Sequence, residues 1–128
     1  MRGLDANVVL RWLVQDEASG NQSERATQLV EEGGNHLSAV ALAEAIWVLE
    51  RTYKISGSSV RSIVMSMLEL DTLKVSDPEI VREAIRDHEL YGGGLNDHLI
   101  VAYDNAAGCD YTLTFDKKAT RSKRFKLA

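Results

Sequence analysis

Four acidic residues, Asp5, Glu44, Asp97 and Asp116, stand where a carboxylate could act on a ligand. In parallel α/β sheets the ligand site lies beyond the carboxyl ends of the strands, so an acid just after a strand carries more weight than one elsewhere. Asp5 closes the first strand in Leu4-Asp5-Ala6-Asn7-Val8-Val9, and Asp116 closes Thr112-Leu113-Thr114-Phe115-Asp116. Glu44 falls, at about 100° per residue, on the helix face of Val40, Trp47 and Val48. Its carboxylate is therefore expected to point toward apolar packing, where a charge is costly unless it is paired or bound to a cation. Arg51 is too far along the helix to pair with it, because helical ion pairs form at three or four residues. Asp97 lies in the first turn of the helix after Gly92-Gly93-Gly94, where the helix dipole stabilises a carboxylate. Taken singly, Asp5, Asp97 and Asp116 also read as caps or turn residues, and Glu44 as a core-edge residue that reaches solvent or a distant base.

Together the four offer an all-oxygen donor set at strand ends and helix starts, which suits hard Mg2+ or Mn2+ better than zinc. His36, His88 and His98 have no metal-binding spacing, HExxH is absent, and one cysteine cannot build a zinc site. There is no Walker loop and no GxGxxG, and Gly92-Gly93-Gly94 follows a helix instead of a strand, so it is a poor phosphate cradle. No GxSxG motif supports a serine nucleophile.

These acids need elements to hold them. Residues 2–6 read as a strand that turns tightly into a helix with Val9, Trp12 and Leu13 on one stripe. Further helices are expected over about 20–32, 40–53, 59–70, 77–89 and 95–107, with Gly33-Gly34, Gly92-Gly93-Gly94 and Gly108 as stops and Asp77-Pro78 as a capped start. Strands are expected over about 36–39, 73–75, 111–115 and 125–127, with a short basic helix before the last. Alternation of strands and helices predicts an α/β sandwich with a mainly parallel central sheet.

At 128 residues, 45% of them apolar, the chain is the size of one globular domain, and residues 1–128 are expected to form a single core. Cys109 alone cannot form an internal disulfide, and no long apolar run marks a leader or membrane span, which points to the cytoplasm and no membrane partner. The net charge of −4 argues at first against nucleic acid. Its distribution is more telling, since residues 117–128 hold six of the fifteen basic residues and no acid, leaving net −10 before them. That basic end is either a solvated face or a place for a phosphate backbone.

Four segments in order, Leu4-Asp5-Ala6-Asn7-Val8-Val9-Leu10-Arg11, Ala43-Glu44-Ala45-Ile46-Trp47-Val48-Leu49, Asn96-Asp97-His98-Leu99-Ile100 and Thr114-Phe115-Asp116-Lys117-Lys118, resemble the motifs of PIN domains. The likeness spans nearly the whole chain and is nearest to the VapC-type toxins of toxin–antitoxin pairs. It implies a three-layer α/β/α PIN-like sandwich and an endoribonuclease in which Asp5, Glu44, Asp97 and Asp116 surround one or two Mg2+ or Mn2+ ions. Asn7 would support that site by hydrogen bonding, Thr114 would fix the turn carrying Asp116, and Arg11, Lys117, Lys118 and Arg121 would meet the RNA. It also implies a homodimer and a cognate antitoxin that covers the acidic pocket. The chain departs from the family pattern at Ala6, where Ser or Thr is commoner, at His98, where a small residue is common, and at an extra Asn96. Other readings are a catalytically silent binding module, and a phosphatase similar to haloacid dehalogenase-like enzymes, although Asn7 replaces the second Asp of their DxDx motif.

Overall fold

Pairs of helices separate the first four short strands, and among the described residues every strand pairing is parallel. The computed structural model describes all residues except 17 and 19. They divide into two units, Met1–Ile55 with Ser66–Ser76, and Ser56–Met65 with Asp77–Ala128.

In the first unit β1 (Arg2–Gly3), β2 (Asn35–Leu37) and β3 (Leu73–Val75) form a sheet in that order. β1 is shorter than the expected strand because Asp5 ends it: the Asp5 carboxylate accepts from Ala6 N at 2.9 Å and so caps α1 (Ala6–Leu13). α1 packs against α2 (Asn21–Glu32) and α3 (Ala39–Arg51). Buried Asn35 is satisfied three times over. It donates to Leu29 O (2.8 Å) and Thr72 O (3.1 Å) and accepts from Arg2 at 3.1 Å, so a polar side chain locks helix, strand and loop together.

α3 overturns one expectation. Its buried residues are Ala41, Leu42, Ala45, Ile46 and Leu49, whereas Val40 and Trp47 are 80% and 54% exposed and Glu44 is exposed beside them. The helix is apolar almost all round, so periodicity could not say which stripe faces the core. Glu44 is a solvated acid, and the strain inferred from its apolar neighbours does not exist.

In the second unit α5 (Pro78–Tyr91) and α6 (Leu95–Ala106) pack along each other, and β4 (Thr112–Thr114) pairs with β5 (Phe125–Leu127). α4 (Gly57–Leu68) begins in this unit. Thr112 Oγ1 donates to Asp104 at 2.7 Å, which ties β4 to α6. Asp77 precedes Pro78 at the start of α5 as expected, but it makes no cap. Its backbone is left-handed (φ 48°, ψ 55°), a conformation Asp tolerates better than most residues, and its carboxylate accepts instead from Tyr103 OH at 2.9 Å. Burial and that hydrogen bond push the Tyr103 phenol up to about 12.

The basic end is not uniformly solvated. Arg124 pairs with Glu83 (2.5 Å) and buried Asp87 (3.4 Å). Lys117, Lys118 and Arg121, around a 3-10 turn at Ala119–Arg121, are exposed.

Candidate functional site

The second unit brings Asp97, Asp116, Lys118 and Arg121 together on one cleft of about 300 Å3, with His98, Phe125 and the glycine loop in its walls. Asp97 sits in the first turn of α6, which no side chain caps, and its carboxylate has no hydrogen bond or ion pair among the described residues. Asp116 is held by the turn after β4, where Thr114 Oγ1 accepts from Asp116 N at 3.0 Å and Asp116 Oδ1 accepts from Lys118 N at 2.9 Å. That leaves Asp116 Oδ2 without a partner among the described residues. Two carboxylates with free oxygens and two cations thus share one concavity.

In the first unit Asp5, Asn7 and Arg11 line a cleft of about 450 Å3. Asp5 spends one oxygen on the α1 cap. The cleft also contains Asn21, Gln22 and Arg25, which sequence reasoning missed, and Arg11 Nε donates to Gln22 at 3.0 Å. Their recurrence on one face of α2, three and four residues apart, was the available signal. Glu44 and Lys117 line neither cleft.

Among the described residues, no group of three or more His, Cys, Asp or Glu side chains is assembled that could hold a metal. The donor chemistry does fit a hard cation: Asp97 and Asp116 offer only oxygen to their cleft, and each has an oxygen uncommitted.

Two buried histidines shape the loop in front of Asp97. His88 and His98 are 3% and 4% exposed. His88 Nε2 donates to Gly93 O (3.0 Å), while its Nδ1 accepts from Arg61 (3.1 Å); His98 Nε2 donates to Gly92 O (2.7 Å). The His88 ring rests against Gly57, where a Cβ would stand 3.2 Å from Nε2. Burial, and the charge of Arg61 after it, hold the His88 imidazole below its usual value of 6.5. The folded state therefore resists a proton that the unfolded chain accepts. Stability from this group is complete above pH 6.5 and is lost as the pH falls from there toward the depressed folded value. His88→Gln is expected to flatten the decline in urea-unfolding free energy over this window. An unchanged slope would contradict it.

An α/β fold with parallel ladders and acids at the strand ends defines the class of molecule, and the comparison with protein families agrees. The PIN domain model matches residues 4–124, and the chain belongs to the PIN domain family. PIN domains are in general nucleases that use divalent metals, and the family implies a nucleic-acid partner. No curated protein matches the chain. Among the described residues no helix is long and apolar enough to cross a membrane.

Proposed function

We propose that the chain is an endoribonuclease that hydrolyses RNA phosphodiester bonds with one or two Mg2+ or Mn2+ ions. One observation carries this reading: Asp97, unpaired among the described residues, and Asp116, with one oxygen free among them, share a cleft with Lys118 and Arg121. Acids and bases so placed suit a phosphodiester, because the cationic side chains can take its anionic oxygens while the carboxylates hold a divalent ion. An ion held there would supply Lewis acidity, making water a better nucleophile and offsetting charge on the attacking and leaving oxygens. Asp97 and Asp116 would hold it, the second kept in orientation by Thr114. Lys118 and Arg121, with Lys117 beside them, would bind the RNA backbone. Asp5 and Glu44 complete the acidic set in this reading, with Asn7 in support and Arg11 toward RNA; they rest on the order of the four family motifs. Residues 1–128 then work as one PIN domain.

The likeness of those motifs to VapC-type toxins supports a finer reading, in which the chain is the toxin of a toxin–antitoxin pair, acts in the cytoplasm as a homodimer, and is silenced by a cognate antitoxin. Purified protein is expected to cleave RNA with Mn2+ and not with a chelator present. No cleavage with either Mg2+ or Mn2+ would sink the nuclease reading. Replacing Lys117, Lys118 and Arg121 with Ala is expected to weaken binding of single-stranded RNA and to flatten its logarithmic salt dependence by about 0.7 per phosphate that these side chains neutralise. An unchanged salt slope would return the basic end to plain solvated surface.

A further inference from the structure

We propose that His98, backed by His88, is a positioning residue that fixes the glycine loop and so aims Asp97 into its cleft. This rests on Asp97 being a metal-holding acid. The loop between α5 and α6 contains Gly92 and Gly93 at positive φ (70° and 80°), a region that glycine enters freely because it has no Cβ. Among the described residues, three hydrogen bonds hold Gly92 and Gly93. Gly92 N donates to His88 O (2.8 Å) as α5 ends, His88 Nε2 donates to Gly93 O, and His98 Nε2, one residue beyond Asp97, reaches back to Gly92 O. The last of these closes the segment 92–98 into a ring that contains Asp97. Arg61, donating to His88 Nδ1, fixes the tautomer that leaves Nε2–H for Gly93.

His98 holds the loop at a cost. With Nε2–H given to Gly92, its Nδ1 is buried without a partner among the described residues, and a buried acceptor left unpaired is destabilising. Its ring is otherwise enclosed by aromatic neighbours, edge-on to His88 (5.9 Å between centroids) and Phe125 (6.4 Å) and stacked on Tyr91 (6.4 Å). Phenylalanine would fill that space without the orphaned nitrogen. What phenylalanine cannot do is hold the Gly92 carbonyl, so the histidine is explained by the loop and not by the packing.

The two explanations separate in His98→Phe and His98→Gln, tested alongside wild type and Asp97→Asn by thermal melting, Mn2+ titration followed by electron paramagnetic resonance, and steady-state RNA cleavage. His98→Phe is expected to melt at or above the wild-type temperature, yet to bind Mn2+ about tenfold or more weakly and lose kcat by a similar factor, as is typical when partners of metal ligands are removed. Its KM for RNA should not change. His98→Gln, which keeps a donor, should recover most of both losses. In the metal-free proteins, amide hydrogen exchange over residues 93–97 should speed up in His98→Phe and return toward wild type in His98→Gln. Wild-type Mn2+ affinity or wild-type loop exchange in His98→Phe would overturn this proposal alone. A wild-type chain that takes up no Mn2+ would overturn the nuclease reading and this proposal with it.

Discussion

Asp97→Asn is expected to lower the rate of Mn2+-dependent RNA cleavage about a thousandfold, equivalent to about 4 kcal/mol of transition-state stabilisation. The substitution keeps size and shape but replaces an anionic donor with a neutral one, so what it removes is charge toward a hard cation. Asp97 is exposed and has no partner among the described residues, and its loss should leave unfolding free energy within about 0.5 kcal/mol of wild type. Initial rates across a Mn2+ series, with urea unfolding in parallel, separate the two effects. Full activity in a folded variant would remove Asp97 from the site.

Leu95→Ala should cost about 2–5 kcal/mol, a large share of the roughly 5–15 kcal/mol expected for a domain. Leu95 opens α6 and is 1% exposed, two residues before Asp97. Truncation leaves a cavity under the turn that carries the acid, because packed neighbours collapse only partly into such a space. Urea denaturation should show the midpoint falling with little change in slope. A loss under about 1 kcal/mol would mean that the α6 start is not seated by this side chain.

Much of the element order is legible in the sequence because its signals are local. Gly33 ends α2, Pro78 opens α5, and the glycine run separates α5 from α6, each through backbone preferences that act within a few residues. Strand length is overestimated where an acid intervenes, as when Asp5 leaves β1 to become a cap. The facing of α3 is not legible, since a helix apolar nearly all round has no unique stripe: spacing groups Glu44 correctly with Val40 and Trp47, but cannot show that this face is the exposed one. Nor can sequence show that Asp77 forgoes its cap for Tyr103, or that Arg124 leaves the basic tail for Glu83 and Asp87, because those partners come from elsewhere in the unit. Spacing argues His88 and His98 out of a metal site and says nothing of what they do instead. Their acceptors are backbone carbonyls of a glycine loop, and a carbonyl leaves no mark on residue type.

Asp97 and Asp116 are proposed to hold a divalent ion. Mn2+ titration by electron paramagnetic resonance on wild type, Asp97→Asn and Asp116→Asn tests it without reference to any substrate. Saturable binding in wild type that weakens sharply in both variants is the predicted result; equal binding in all three proteins, or none in wild type, would contradict it.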